Sequence, residues 1–127
     1  MVLGSRVKLL GWRIRRSEKR HYLGRVFATF ASMALALPVY DTQCGAKAMR
    51  ASPALAAALE APFLSRWLFD VELIARLRDA LGVEALREMP LPRWEDPGGS
   101  SVGLTDFVRA PLELWRIRRR YPARPRG

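Results

Sequence analysis

The sequence DTQCGAK at residues 41–47 and the sequence RWLFDVEL at residues 66–73 decide how the fold of this 127-residue chain is interpreted. Each places charged and polar side chains where a plain hydrophobic core does not require them. Around these two motifs, short apolar stretches alternate with amphipathic segments, and this alternation is typical of an α/β protein. We therefore expect an α/β fold, with helices packed beside a few strands of a parallel or mixed sheet.

The positions of the helices follow from the spacing of apolar residues and from capping residues. From residue 18 to residue 37 apolar side chains recur at three- and four-residue steps, and Pro38 ends the pattern. Ser52 followed by Pro53 is typical of a helix start, and Gly82 of a helix end. The sequence predicts helices over 18–37, 53–60 and 70–81 and a last helix from about residue 105, strands at 1–3, 46–51 and 83–89, and loops over 4–17 and 95–103.

The net charge of +10 comes mostly from arginine and is concentrated in two clusters, residues 6–25 and residues 109–126. Basic clusters of this kind bind phosphate groups in nucleic acids, in anionic lipid headgroups or in phosphorylated substrates. For the second cluster, a solubilising surface with a tail is an equally good interpretation.

The single cysteine, Cys44, cannot form an intrachain disulfide, and no spacing of Cys and His residues suggests a zinc site. A reducing, cytoplasmic location is therefore expected. The longest apolar run, residues 26–39, is shorter than the roughly 20 residues that a helix needs to cross a bilayer. We expect that this run does not span a membrane.

Two further patterns accompany the two motifs. The sequence VLGSR at residues 2–6 precedes them, and Pro90, Trp94 and the sequence PGGS at residues 97–100 follow them. In this order the patterns resemble the acceptor-side half of family-2 glycosyltransferases that transfer glucose or mannose to dolichyl or polyprenyl phosphate. The resemblance covers about residues 2–102. It implies the C-terminal portion of a GT-A-like fold with an incomplete sheet, residues 1–108 being the acceptor-side half and residues 109–127 a basic C-terminal helix or tail.

The resemblance also implies a donor half that binds the nucleotide-sugar, in which an acidic D-x-D-type cluster holds Mg²⁺ or Mn²⁺. Residues 70–72 have that acidic spacing, but they lie at the start of a predicted helix rather than after a buried strand. We therefore expect no metal site in this chain and interpret it as a fragment that is inactive without its donor half. The family pattern has an aromatic residue at the position of Ala46 and a lysine at the position of Ser101. A loss of activity and ordinary sequence variation would each produce such changes.

The resemblance implies a set of site residues. Asp70 is assigned as the catalytic residue, which orients the acceptor or contacts sugar hydroxyls; the alternative is an acid that stabilises the first turn of a helix. Lys47 is expected to pair with Asp41 as a loop clasp or to bind a phosphate, close to Gly45, which would allow a positive φ or a close backbone approach. Cys44 is interpreted as a packed side chain rather than a nucleophile. The residues assigned to substrate binding are Arg6, Asp41, Gln43, Lys47, Trp67, Glu72 and Ser100.

The predicted function of the full-length relative is the inverting transfer of a hexose from a nucleotide-diphosphate sugar to a polyprenyl phosphate. Its partners are the lipid-linked phosphate acceptor, the nucleotide-sugar, the missing donor half and, through an open sheet edge, a second copy of the chain. The alternative is a non-enzymatic basic module that binds an anionic membrane or nucleic acid. Nucleic acid is disfavoured, because an aromatic stretch separates the helices over 53–60 and 70–81 and the second begins with acids.

A membrane surface is expected as a further partner, which implies a peripheral location at the inner face of the membrane. The cations of residues 6–25 run directly into the predicted helix that carries Phe27, Phe30 and Met33. These apolar side chains either insert at the lipid interface or pack under the sheet.

Overall fold

The computed structural model describes residues 1–15, 17–95 and 104–122. Within them the chain is a mixed α/β protein with four helices and two small sheets. A single 3₁₀ turn, Val83–Ala85, follows the third helix. In chain order the elements are β1 (Val2–Ser5), β2 (Arg13–Arg15), α1 (Glu18–Leu35), β3 (Lys47–Ala48), α2 (Pro53–Glu60), α3 (Phe69–Leu81), β4 (Arg87–Pro90), β5 (Arg93–Glu95) and α4 (Leu104–Arg120).

The larger sheet is mixed, with strand order β3-β1-β4. The central strand β1 runs parallel to β4, with Val2 opposite Arg87, and antiparallel to β3, with Leu3 opposite Lys47. The second sheet pairs β2 with β5 in parallel. Strand β2 lies inside residues 4–17, so the prediction of a continuous loop there was wrong, because the pairing partner of β2 is distant in sequence.

Local sequence features fix the helix boundaries. Ser52 caps α2, since its Oγ accepts a hydrogen bond from the backbone N–H of Leu55 at 3.2 Å, and Pro53 is the first helical residue. Gly82, at a φ of 82°, follows the last residue of α3. Helix α1 ends at Leu35, two residues before the predicted end. The helix predictions over residues 53–60 and 70–81 are confirmed to within one residue.

The main hydrophobic core lies between β1, α1, α3 and α4. Helix α4 contributes Ala110, Leu114 and Ile117 to this core. It runs through the boundary expected between residues 108 and 109, with Pro111 inside it. The core residues with the lowest exposure include Leu3, Ala31, Leu35, Leu68, Val71, Ile74, Ala75 and Ile117.

Hydropathy along the helices bears on the membrane prediction. None of the helices in the described part of the chain is both long and apolar enough to cross a bilayer.

Candidate functional site

The first ion pair of the site joins the end of β1 to the motif at residues 41–47. The guanidinium of Arg6 donates through Nε and Nη2 to the two carboxylate oxygens of Asp41 at 2.7 and 2.9 Å, and its backbone N–H donates to the same carboxylate at 3.1 Å. A bidentate pair of this kind fixes both side chains. Arg6 also lies over Trp94 of β5, 5.5 Å from the ring centre. The loop-clasp interpretation is therefore corrected, since Asp41 pairs with Arg6 and not with Lys47.

The second ion pair joins the two sequence motifs. Lys47 Nζ, on β3, lies 3.0 Å from Oδ1 of Asp70, in the first turn of α3, and the two side chains are only 9% and 12% exposed. The ammonium of Lys47 also donates to the backbone carbonyl of Cys44. Lys47 and Asp70, one from each motif, thus meet at the N-terminal end of α3, where the helix dipole favours the Asp70 carboxylate.

Backbone contacts hold the first motif against the sheet. Glu88 of β4 accepts a hydrogen bond from the backbone N–H of Asp41 at 2.7 Å. Gly4 of β1 donates to the carbonyl of Ala46 at 2.7 Å, and a Cβ on Gly4 would lie 2.8 Å from that oxygen. Only glycine fits there. The close approach expected at Gly45 is corrected accordingly, because Gly45 has no positive φ and a Cβ on it would meet no atom within 4 Å.

Three buried side-chain atoms of the described residues have no hydrogen-bond partner, and they belong to residues that adjoin Arg6 and Asp41 in sequence. They are Ser5 Oγ, Thr42 Oγ1 and Gln43 Nε2. An unpaired buried polar group costs about 1–3 kcal/mol, and most such groups in proteins are hydrogen-bonded. These atoms and the two ion pairs form one group, which we name the polar cluster: Ser5, Arg6, Asp41, Thr42, Gln43, Lys47 and Asp70.

Burial is the largest cause of the pKa shifts of Asp70 and of the nearby Cys44. It raises the pKa of Asp70 above its usual 3.8; the Lys47 ammonium acts in the opposite direction and the Asp41 carboxylate adds to the increase. Burial also raises the pKa of the Cys44 thiol, which is completely buried. A raised pKa keeps Cys44 protonated and unreactive, in agreement with its interpretation as a packed side chain.

Glu72 does not belong to the polar cluster. Its side chain is 0% exposed and accepts hydrogen bonds from the backbone N–H of Leu64 at 2.7 Å and from the hydroxyl of Tyr121 at 3.1 Å, and it pairs with Arg76 at 2.7 Å. With its oxygens engaged inside the protein, Glu72 has a structural role, and its assignment to substrate binding is corrected. Together with Arg78, these side chains form a second network that is centred on α3 and reaches Tyr121 after α4. We name it the arginine network: Glu72, Arg76, Arg78 and Tyr121.

The other two residues assigned to substrate binding are Trp67 and Ser100. Trp67 is partly buried in an aromatic group, with its ring centre 5.3 Å from that of Phe27 and 5.6 Å from that of Phe107. It links α1 to α4 beside the start of α3. Ser100 lies outside the described residues, as does the rest of the PGGS sequence.

The described residues do not fit a divalent metal ion. No group of three or more His, Cys, Asp and Glu side chains is arranged among them to hold one. In the polar cluster both carboxylates are paired with cationic side chains, Asp41 with Arg6 and Asp70 with Lys47. A Mg²⁺ or Mn²⁺ ion would have to displace these cations before it could bind.

The assignments from sequence omitted Ser5, Thr42 and Glu88. Ser5 and Thr42 lie in the quoted motifs directly beside Arg6 and Asp41, and a polar residue next to an assigned one is a usable indication. Glu88 is an acid in a predicted strand, and its side chain reaches the backbone of Tyr40 and Asp41. That contact depends on which segment of the chain lies beside β4, and the sequence alone does not indicate this.

No protein-family model, no curated protein and no solved structure matches this chain. Membership of a glycosyltransferase family therefore remains a proposal that rests on the residues and on the geometry of the polar cluster.

Proposed function

We propose that this chain provides the acceptor side of an inverting glycosyltransferase that moves a hexose from a nucleotide-diphosphate sugar to a polyprenyl phosphate. The observation that carries the proposal is the buried contact between Lys47 and Asp70. It joins the two motifs on which the resemblance rests, and the same part of the chain contains buried polar atoms of Ser5, Thr42 and Gln43 that lack partners. A ligand with several oxygen atoms would give those atoms hydrogen bonds.

Lys47 is the residue that binds the acceptor phosphate in this proposal. Its ammonium has three donors, of which the contacts with Asp70 and with the Cys44 carbonyl occupy two. A phosphate dianion is a stronger partner than the Asp70 carboxylate, whose charged form is disfavoured by burial. The phosphate therefore takes over the ammonium, and Asp70 becomes available to accept hydrogen bonds from sugar hydroxyls.

The transfer step forms one bond and breaks one bond. An ionised oxygen of the acceptor phosphate attacks the anomeric carbon, and the bond from that carbon to the donor diphosphate breaks with its electron pair leaving on the diphosphate. Configuration at the anomeric carbon is inverted. The attacking oxygen carries no proton at neutral pH, so Asp70 orients the two reactants and is not required as a strong base.

The donor half and its metal ion are part of the proposal and are not assigned to any of the residues described above. A divalent cation bound there would neutralise the charge of the leaving diphosphate. The 127-residue chain alone is accordingly expected to show no transfer with any nucleotide-sugar, with or without Mg²⁺ or Mn²⁺. Because the acceptor is a membrane lipid, we propose a peripheral location at the cytoplasmic face of the membrane.

The test measures binding of a soluble acceptor analogue to the 127-residue chain. Citronellyl phosphate and citronellol share the isoprenoid part and differ only in the phosphate. We expect saturable binding of the phosphate and at least about tenfold weaker binding of the alcohol, equivalent to about 1.4 kcal/mol. Isothermal titration calorimetry measures both affinities.

Lys47→Met is the diagnostic variant, and Arg87→Met is the control that removes one cation from an exposed position on β4. Since β4 and β3 flank β1 on opposite sides, Arg87 lies away from Lys47. We expect Lys47→Met to remove the preference for the phosphate and Arg87→Met to keep it. Equal binding of phosphate and alcohol by the unmodified chain would contradict the proposal, and so would equal losses in the two variants.

A further inference from the structure

Helix α4 carries an apolar ridge on the side that faces away from the core. Its inward side chains, Ala110, Leu114 and Ile117, are buried. On the outward side Val108 is 75% exposed, and Leu112 and Trp115 are each about half exposed. The steps of four and three residues place these three side chains on one line along the helix.

Helix α1 carries a second apolar ridge of the same kind. Phe27 and Ala31 pack in the core, whereas Phe30 and Met33 are more than half exposed. The sequence left two positions open for Phe27, Phe30 and Met33, the lipid interface or the space under the sheet. In the structure Phe27 packs against Trp67, whereas Phe30 and Met33 reach the surface. The members of the ridge are Tyr22, Val26, Phe30 and Met33, again at steps of four and three residues.

The two helices lie next to each other in the fold. Arg118 Nη1 of α4 lies 3.5 Å from the backbone carbonyl of Met33 at the end of α1. The rings of Phe27 on α1 and Phe107 on α4 both contact Trp67 between them. The two ridges therefore belong to neighbouring helices rather than to distant parts of the molecule.

The charges beside the ridge of α4 are all positive. Its two acids, Asp106 and Glu113, are partly buried, and Glu113 accepts a hydrogen bond from Ser65 at 2.5 Å. Arg119 lies over the ring of Trp115, 4.8 Å from its centre. The exposed cations of this helix are Arg109, Arg116, Arg118, Arg119 and Arg120.

We propose that α1 and α4 together form a docking surface for an anionic lipid bilayer. An amphipathic helix binds a bilayer through apolar side chains at the interface and through cations near the headgroups. Here both components are present on each helix, since Arg25 is exposed on α1 beside its ridge. This proposal does not depend on the transfer activity proposed above.

Charge and polarity favour lipid over the other occupants of such a surface. A second copy of the chain would bring the arginines of one α4 against those of the other, and like charges repel. Nucleic acid would satisfy the arginines but would leave the ridges in contact with a polar backbone. An anionic bilayer is the partner that accepts the cations and the apolar side chains at once.

The test is co-sedimentation of the 127-residue chain with vesicles that contain no isoprenoid phosphate. We expect binding to vesicles of equal parts phosphatidylglycerol and phosphatidylcholine, and at least about tenfold weaker binding to pure phosphatidylcholine. Binding to the anionic vesicles should weaken at 0.5 M salt yet remain measurable, because salt screens the charges but not the apolar contact.

Two double variants separate the ridges from general hydrophobicity. Leu112→Ser with Trp115→Ser alters the ridge of α4, and Phe30→Ser with Met33→Ser alters that of α1. The control is Leu59→Ser with Met89→Ser, since these residues are about as exposed but lie on α2 and β4. We expect each ridge variant to lose roughly tenfold or more in vesicle affinity and the control to lose less than about twofold.

Several results would overturn the proposal. One is the absence of sedimentation with anionic vesicles at low salt, and another is complete loss of binding at 0.5 M salt. A loss in only one ridge variant would contradict a surface formed by both helices. Self-association that the ridge variants abolish would assign the surface to a second copy, and tight binding of random-sequence RNA that depends on the ridges would assign it to nucleic acid. Circular dichroism confirms that each variant is folded.

Discussion

The polar cluster and the arginine network are two largely buried groups of charged and polar side chains that both include residues of α3, and they differ in how completely they are hydrogen-bonded. In the arginine network, Arg76 uses Nε, Nη1 and Nη2 to bind Glu72, Tyr121 and the carbonyls of Ala58, Ala61 and Pro62. In the polar cluster, Ser5, Thr42 and Gln43 have buried side-chain atoms without partners. The difference separates a structural network from a candidate binding site, although both look alike in sequence.

The arginine network ties three helices together. Arg78 donates to the carbonyl of Leu35 at the end of α1 at 2.6 Å and to that of Tyr121 after α4 at 3.0 Å. Because its donors meet protein acceptors, it leaves nothing for a ligand to satisfy. The variants below test whether the two regions respond as differently as this predicts.

The largest expected effect is on stability, in the arginine network. Arg76→Met leaves the carboxylate of Glu72 buried at 0% exposure without its cation. Breaking a buried ion pair in this way costs about 3–5 kcal/mol, measured as the free energy of unfolding in urea. The control, Arg93→Met, removes one partner of an exposed pair with Glu95 and should cost less than about 1 kcal/mol. Similar losses in the two variants would contradict a structural role for the network.

The next effect is on turnover, in the polar cluster. In a protein that also carries a donor half, we expect Asp70→Asn to lower the rate of transfer to polyprenyl phosphate about a hundredfold, because misoriented reactants lose that much. Nucleotide binding should be unchanged, and acceptor-phosphate binding should be retained, since Lys47 loses its competing partner. Steady-state kinetics with a radiolabelled sugar measure the rate. Full turnover in Asp70→Asn would make Asp70 a structural residue.

A matched pair of small substitutions compares the regions most closely. Tyr121→Phe removes a hydroxyl bonded to Glu72 and Arg76 and should lower the free energy of unfolding by about 1–3 kcal/mol. Thr42→Val removes a buried hydroxyl without a partner and should raise it by about 1 kcal/mol, because a desolvated polar group is eliminated. Urea unfolding measures both. A stability loss in Thr42→Val would show that its hydroxyl is hydrogen-bonded after all.

The smallest expected effect is a pH dependence from Asp70. Burial raises its pKa above 3.8 in the folded chain, so between the unfolded and folded pKa values the folded protein binds more protons than the unfolded one. Its contribution to the free energy of unfolding therefore falls as pH rises through that interval. Relative to Asp70→Asn, the unmodified chain should be most stable below about pH 3.8. Urea unfolding of both proteins from pH 3 to pH 7 tests this, and a difference that grows with pH would have the wrong sign.

Local features of the fold could be predicted from the sequence, whereas non-local ones could not. The capping residues Ser52 and Pro53 and the glycine at position 82 act within one turn, so they predicted the start of α2 and the end of α3. The pairing of β2 with β5 joins segments far apart in the chain, and residues 4–17 carry no local pattern that indicates it. The alternating pattern predicted helices and strands but not which strands are neighbours.

The same distinction applies to the candidate site. Lys47 and Asp70 were identified because each is a charged residue in a motif, and the structure brings them together. Glu72 was misassigned because Tyr121, one of its partners, lies 49 residues away in sequence. The requirement for glycine falls at Gly4 rather than Gly45, since it depends on the approach of a neighbouring segment.

The central claim is that the polar cluster binds the phosphate-bearing acceptor and the arginine network does not. Titration of the ¹⁵N-labelled chain with citronellyl phosphate, followed by two-dimensional NMR, tests it most directly, because the side-chain NH₂ of Gln43 reports on one region and the backbone of Arg76 on the other. We predict saturable shifts of the Gln43 NH₂ and of backbone signals at residues 41–47, absent with citronellol, and unchanged signals at Arg76. Saturable shifts that leave Gln43 and residues 41–47 unaffected, or equal shifts with the alcohol, would contradict the claim.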